Sequence, residues 1–320
     1  AYGEAPTDGL VDYGNWNTRL GLRSTQPLNN STLRFRLESG LGLRSSAAVS
    51  QEFQPDRMDW QRTALRWFET ALDTSYGTLS LGQGSTASDG VAGLDESFTF
   101  VAGAVDSTDG FSAFRFRDGN GELTDVTVGA VNNNLAGARR FRARYDTPRY
   151  GGVMLSSSYG RNILVSGDNR NFYDVALRSA NDVGDFSVQS AIGYGWDDDP
   201  DGENQERVAG SMTVVHNPSG LNLLFAAGSQ ISGPDYYYTR GGWRTDLFAC
   251  GTTSLWDYYH GRDFISDGAR TENYGAYAVQ SFDALSVDAY AGWRRFTYSD
   301  QLGGSYQDAD GILAGTRWFF

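Results

Sequence analysis

Apolar and polar residues alternate along short segments of this chain. Residues 31–43 show the pattern well, because one face carries Leu33, Phe35, Leu37, Leu41 and Leu43. The other face carries Thr32, Arg34, Arg36, Glu38 and Gly40. Side chains of a β-strand point alternately to its two sides, so the pattern predicts strands with apolar surroundings on one side and water on the other.

The alternation recurs between turn-forming residues and predicts fifteen antiparallel strands, at 11–23, 31–43, 59–71, 77–84, 139–147, 152–160, 171–180, 185–195, 207–215, 221–230, 236–244, 251–260, 272–281, 285–297 and 309–320. Short turns such as 26–30, 181–184 and 217–220 alternate with longer polar connections, which is typical of a transmembrane β-barrel. A soluble β-sandwich or β-helix is the alternative. It would bury apolar side chains, whereas the faces predicted to point inward carry Arg, Gln, Asn and Gly.

Composition supports one barrel domain over residues 1–320. Hydrophobic residues make up 40% and aromatic residues 14%, and no run approaches the roughly 20 apolar residues of a spanning helix. A closed barrel crosses lipid without such a run, because every backbone polar group pairs with a neighbouring strand. Aromatic residues lie near predicted strand ends, where they would meet the membrane interface: Trp16, Trp60, Tyr150, Tyr159, Trp196, Tyr236, Tyr237, Trp256 and Trp318.

Charge and cysteine content exclude several classes of function. The net charge is −13 and all 26 basic residues are Arg, so nucleic acid is not an expected partner. The single Cys250 cannot form an internal disulfide, and no Cys/His spacing suits zinc. The first residues, Ala1-Tyr2-Gly3-Glu4, have the character of a processed end after export.

The last predicted strand places Ile312, Ala314, Thr316, Trp318 and Phe320 on one face. It resembles the closing strand of Gram-negative outer-membrane proteins. In those proteins a terminal aromatic residue is part of the signal that the barrel assembly machinery reads, and the resemblance gives this role to Phe320.

A second resemblance lies earlier in the chain, in residues 18–23, 33–40, 67–68 and 76–83, which are similar to the second to fifth strands of the trimeric general porins. It implies a homotrimer in the outer membrane, surrounded by lipid and lipopolysaccharide, with a barrel of 16 strands. Because residues 1–10 are too short for the first strand of that family, three alternatives stay open: a distorted first strand, a missing first strand, or a barrel of 14 strands.

The resemblance also implies that the long connection 85–138 folds inward as a constriction loop. It contains Asp89, Asp95, Glu96, Asp106 and Asp109, with Asp118, Glu122 and Asp125 further on. The alternative is that it contains two more strands, near 98–101 and 111–116, with 126–131 also β-like. Asp118 to Glu122 have the composition of a turn.

Arginines dominate the inward-facing positions of the first strands, namely Arg19, Arg23, Arg34, Arg36, Arg62, Arg66, Arg140, Arg142 and Arg144, with Glu38 among them. Opposite the acidic loop, they resemble the eyelet of the general porins. We therefore expect a water-filled channel for passive diffusion of small polar solutes and ions across a transverse field. The alternative role for these arginines is to pair with Glu residues and stiffen the wall.

Three further hypotheses compete or add detail. A substrate-selective oligosaccharide channel would use the tyrosines Tyr236, Tyr237, Tyr238, Tyr258 and Tyr259. An enzyme would need His216 or His260, neither of which has a recognisable partner motif, so no catalytic activity is expected. Asp197, Asp199 and Asp201 match the start of a calcium-binding loop, but Val208 stands where that loop has its bidentate Glu. A hydrated loop is therefore favoured, and calcium binding is the alternative. No cofactor is required for the expected function.

Overall fold

The computed structural model describes residues 10–105, 110–200, 202–245, 251–301 and 304–320. Fifteen strands form one antiparallel sheet, in which each strand pairs with the next of the set along the chain. They are β1 (Arg19–Leu28), β2 (Ser31–Gly40), β3 (Leu65–Thr74), β4 (Gly77–Ser85), β7 (Arg139–Asp146), β8 (Val153–Arg161), β9 (Asn171–Val183), β10 (Phe186–Asp198), β11 (Gln205–His216), β12 (Leu221–Gln230), β13 (Asp235–Arg244), β14 (Gly251–Arg262), β15 (Arg270–Phe282), β16 (Val287–Ser299) and β18 (Ala309–Trp318).

A second, small sheet contains β5 (Arg115–Asp118), β6 (Leu123–Thr127) and β17 (Tyr306–Gln307). Helical structure is limited to α1 (Val128–Val131) and to 3-10 turns at Ser46–Ala48, Arg62–Ala64 and Asp283–Leu285. Within the described ranges, no helix has the length and apolar character needed to cross a membrane.

Each predicted strand corresponds to one strand of the large sheet, but the first is misplaced. It was expected at 11–23 with a turn at 26–30, whereas β1 extends to Leu28 and only Asn29 and Asn30 form the turn. Gln26 and Pro27 pair with β2, and Pro27 is tolerated because β1 is an end strand that needs no N–H on its free side. Asn29 has the positive φ (46°) of a tight hairpin turn.

The large sheet has fifteen strands among the described residues, and residues 1–9, where the question of a first strand arises, lie outside them. Residues 10–18 precede β1 without joining the sheet as a strand. Instead, the ring of Tyr13 lies 5.6 Å from that of Tyr290, and the guanidinium of Arg317 lies 4.6 Å from the ring of Trp16. Residues 10–18 thus pack against β16 and β18, the last two strands of the sheet.

The predicted alternation of the two faces is confirmed. Apolar side chains such as Leu81 and Leu223 are 51% and 60% exposed on the outer face. Their neighbours Ser80 and Asn222 are buried on the inner face. Two aromatic residues depart from the expectation: Trp16 packs inside against Phe100 and Tyr236 is buried on the ring of Tyr259, so neither belongs to an outer girdle.

The connection between β4 and β7, here called the inner segment (86–138), lies outside the large sheet. Because β4 pairs directly with β7, the segment adds no strand to the wall. The strands that it does contain, β5 and β6, form a hairpin away from the positions 98–101 and 111–116 considered from the sequence, apart from a short overlap at Arg115 and Phe116. The turn expected at Asp118 to Glu122 is confirmed and joins these two strands.

Candidate functional site

Three arginines surround one carboxylate on the inner face of β1, β2 and β3. Glu38 accepts from Arg19 at 3.4 Å, from Arg36 at 2.6 Å and from Arg66 at 2.9 Å. Glu38 is buried, whereas the arginine side chains keep 18–27% of their surface exposed. This group, with Arg23 and Arg34, is called the arginine ladder below. Glu38 and the three arginines around it together carry a net charge of +2.

The other two ladder arginines differ in their pairing. Arg34 binds Asp73 at 2.7 Å, which balances its charge. Arg23 is exposed, and no ion pair of Arg23 occurs within the described residues. It lies directly opposite Arg36 in the register of β1 and β2, and Arg36 stacks on the ring of Trp67 at 3.9 Å. The ladder is therefore a wall with surplus positive charge.

The arginines Arg142 and Arg144 of β7 have contacts of the kind expected from the alternative role, in which arginines pair with acidic residues and stiffen the wall. Arg142 is buried, pairs with Glu69, and donates to the carbonyls of Ser85 (2.9 Å) and Gly82 (3.0 Å). Arg144 pairs with Asp146 at 2.8 Å and donates to the carbonyl of Thr86 at 2.8 Å. Both hold the chain where it leaves β4.

Two more of the arginines that the sequence predicts to line the lumen do not belong to the ladder. Arg140 stacks on Phe172 at 4.2 Å and donates to the carbonyl of Arg139 at 2.9 Å. Arg62 was expected on a strand of the wall, but it is exposed in the 3-10 turn ahead of β3. The period-two pattern could not show this, because a short helical turn interrupts the strand that it predicted.

Acidic residues of the inner segment contact the wall far from the ladder. Asp95 pairs with Arg240 of β13, and Glu96 accepts from Gln189 of β10 at 2.5 Å. The backbone carbonyl of Asp89 accepts from Arg178 at 2.9 Å. Asp106 and Asp109 lie outside the described residues. The side chains of Asp95 and Glu96 thus bind the opposite wall instead of facing the ladder.

A buried charged group on β13 to β16 was not singled out from the sequence. Asp257 accepts from Arg294 (2.9 Å), Tyr277 (2.9 Å) and Tyr238 (3.1 Å). Arg294 and Arg240 are each 1% exposed and donate to the carbonyls of Ala104 and Gly103 in the inner segment. We call Tyr238, Arg240, Asp257, Tyr277 and Arg294 the far-wall cluster. The signal was available, because the alternation that turns Arg36 inward also turns Arg240 and Arg294 inward.

Further contacts fasten both ends of the inner segment. Near its start, Asp174 of β9 accepts from the backbone N–H of Ser88 at 2.8 Å and from its hydroxyl at 2.6 Å. Near its end, Tyr259 exchanges hydrogen bonds with the backbone of Asn133 at 3.1 and 3.0 Å. The segment is therefore fixed along the inner face of β9 to β16, and within the described residues the ion pairs of the ladder arginines do not involve it.

The hairpin of β5 and β6 lies at the end of the sheet where the long connections are. Phe116 is fully buried, and β17 pairs with β5. Arg115 and Gln51 exchange two hydrogen bonds of 3.0 and 2.7 Å. Backbone N–H groups of Glu122 and Asn120 donate to Asp118 and lower the pKa of its carboxyl. The hairpin thus joins three of the long connections.

The long connections at this end and the inner segment together carry the net charge of the chain. Segments 41–64, 162–170, 199–204, 231–234, 263–269 and 300–308 contain 11 acidic residues and 4 arginines, and the inner segment contains 8 acidic residues and 2 arginines. The two excesses, 7 and 6, add up to the net charge of −13, so the rest of the chain is balanced.

The remaining candidates have ordinary partners. Asp197 accepts from Arg207 at 2.5 Å and from Arg170 at 3.3 Å, Asp199 lies in the following loop, and Asp201 lies outside the described residues. Among the described residues, no three His, Cys, Asp or Glu side chains are grouped to hold a metal ion. His216 contacts Ser219 at 2.7 Å in a turn, and His260 contacts Glu272 at 3.3 Å. Phe320 is 93% exposed.

Comparison with known proteins gives a match to one family and several similar structures. The family model of Gram-negative porins matches residues 7–301. No curated protein gives a significant sequence match.

The similar solved structures share the fold at low sequence identity. An anion-selective porin from Comamonas acidovorans has a TM-score of 0.58 and 14% identity, covering 96% of this chain and 91% of that one. A trimer form of the outer-membrane protein OmpT of Vibrio cholerae has a TM-score of 0.54 and 13% sequence identity, and the match covers 93% of this chain and 88% of that one. The outer-membrane channel DcaP of Acinetobacter baumannii has a TM-score of 0.54 and 12% sequence identity, and the match covers 93% of this chain and 84% of that one.

Proposed function

The chain belongs to the Gram-negative porin family and is an outer-membrane β-barrel, and from that premise we propose that it is a passive channel for small hydrophilic solutes and ions. The observation that carries this proposal is the partly exposed arginine ladder. Its side chains keep part of their surface free on the inner face, while the outer face is apolar and suits lipid.

The ladder supplies the electrostatic part of the proposed mechanism. Arginine stays charged at any working pH, and fixed charges beside a low-dielectric wall attract counter-ions and orient polar solutes. The inner segment lies on the opposite wall and narrows the lumen on that side. We expect anions to be favoured at the ladder and cations to gather at the acidic connections, which face the outside in barrels of this kind.

Assembly and surroundings complete the proposal. OmpT of Vibrio cholerae has a trimer form, and we propose a homotrimer for this chain, set in lipid and lipopolysaccharide. Phe320 would serve as the assembly signal for the barrel assembly machinery. The proposed mechanism requires no cofactor, and Arg170 and Arg207 bind the carboxylate of Asp197, for which calcium would have to compete.

Swelling of liposomes that contain the protein tests the proposal. With sugars of increasing mass, a passive channel gives rates that decline smoothly with size. A steep preference between sugars of equal size would instead support the oligosaccharide-selective channel. No swelling with any sugar, together with no conductance in potassium chloride, would overturn both.

A further inference from the structure

A cavity of about 1290 Å³ lies between β1, the inner segment and β18, at the two end strands of the large sheet, and the outward-facing Leu20 and Ile312 also line it. Arg19 and Arg23 line it from β1. Val101, Phe111 and Phe114 line it from the inner segment, and Leu313 lines it from β18. The cavity therefore has a cationic side and an apolar side.

The cationic side has fewer negative than positive charges, because its acidic residues are Asp12, which binds Thr18, and Glu38, which three arginines share. Arg23 lies directly opposite Arg36 across β1 and β2, and like charges in that relation repel each other. Arg36 shares the carboxylate of Glu38 with two other arginines. Arg23 is exposed and forms no ion pair within the described parts of the chain. A bound anion would relieve this repulsion.

The apolar side presents aromatic surface that the protein leaves partly uncovered. Phe111 and Phe114 meet edge to face at 5.9 Å, and Phe111 also packs on Phe296 at 5.7 Å. These contacts hold both rings in place while part of each stays accessible to the cavity. Covering such surface with an apolar group is favourable, because it removes the surface from water.

We propose that this cavity binds organic anions that have an apolar body, such as aromatic and medium-chain carboxylates. The carboxylate would pair with Arg23, beside Arg36, and the apolar body would lie on Phe111 and Phe114. A cavity of this volume can enclose a molecule of that size. The inference rests on the proposed channel function and adds to it a class of preferred solutes.

Single-channel current in a planar bilayer tests the proposal with four probes: acetate, hexanoate, benzoate and benzyl alcohol. Acetate carries the negative charge but lacks the apolar body, and benzyl alcohol has an apolar body but no charge. We expect hexanoate and benzoate to interrupt the potassium chloride current at concentrations at least about tenfold below those for either of the other two. Equal effects of all four probes would overturn the proposal.

The variant Arg23→Gln tests the cationic side, with Arg23→Lys and Arg149→Gln as controls. Arg149 lies exposed in the turn before β8, so its replacement removes the same charge away from the cavity. We expect Arg23→Gln to weaken the effect of benzoate at least about tenfold, Arg23→Lys to keep most of it, and Arg149→Gln to leave it unchanged. An unchanged benzoate effect in Arg23→Gln would overturn the inference.

The two proposals can fail separately in this experiment. Loss of all potassium chloride current in the unmodified protein would contradict the channel itself. Normal current without selective interruption by benzoate would leave the channel intact and contradict only the organic-anion site.

Discussion

The arginine ladder and the far-wall cluster use the same residue type on the same face of one sheet, and they differ in what covers them. The ladder arginines Arg19, Arg36 and Arg66 keep 18–27% of their side-chain surface exposed and share the carboxylate of Glu38. Arg240 and Arg294 are 1% exposed, each pairs with a carboxylate, and each donates to the inner segment. The position of the inner segment decides which arginines meet solutes.

This difference separates two physical roles. A charge buried under protein must be paired, because an unpaired one costs several kcal/mol. A charge in contact with water can stay unpaired, and its field then acts on passing ions. The far-wall cluster is thus expected to hold the inner segment, and the ladder is expected to act on solutes.

The largest expected effect is on stability. Asp257→Asn would leave Arg294 charged and buried without its carboxylate, so we predict a loss of about 3–5 kcal/mol in the free energy of unfolding. Asp73→Asn, which breaks the exposed pair with Arg34, should cost about 1 kcal/mol or less. Urea unfolding of the purified protein measures both, and equal losses would contradict the distinction between the two regions.

A smaller effect is expected on ion selectivity. Glu38→Gln removes the one carboxylate among three ladder arginines, and a unit charge near the path changes local ion concentrations roughly threefold. We predict a rise of about that size in the permeability ratio of chloride to potassium. The control is Asp283→Asn in an exposed turn between β15 and β16, which should leave the ratio unchanged. A ratio that shifts equally in both would show that the effect is not local to the ladder.

The sequence was sufficient to predict the strands and the two faces, because period-two alternation is a property of each strand by itself. It misplaced the first strand, because Gln26 and Pro27 have the composition of a turn and only pairing with β2 makes them part of a strand. The β5 and β6 hairpin escaped the pattern because these strands have only four and five residues.

The site was predicted less well than the fold, for a different reason. Alternation showed that Arg36 and Arg142 point inward, but not that Arg142 is buried on Glu69 and the carbonyls of Ser85 and Gly82 while Arg36 keeps part of its surface exposed. Likewise Asp95 and Glu96 were placed on the correct segment, while their partners Arg240 and Gln189 are distant in sequence. Coverage depends on the path of the long connection, and alternation gives no information on that path.

The smallest expected effect is a pH dependence in one external connection. Pairing with Arg170 lowers the pKa of Asp168 to about 2. A carboxyl whose pKa is lowered in the folded state stabilises that state at pH values above its ordinary pKa of about 4, and this contribution is lost as the pH falls toward 2.

Thermal unfolding as a function of pH measures this contribution. We predict that Asp168→Asn lowers stability by about 1 kcal/mol or less at neutral pH, and that the difference from the unmodified protein disappears near pH 2. A difference of constant size across that range would exclude the Asp168 pair as its source.

The reversal potential under a potassium chloride gradient tests most directly whether exposure to the lumen decides the role of each arginine. We predict that the double variant Arg23→Gln, Arg36→Gln shifts it toward potassium. The double variant Asp95→Leu, Arg240→Met, which removes a covered pair of the far wall, should leave it unchanged. An unchanged potential in the ladder variant, or an equal shift in both, would contradict the account.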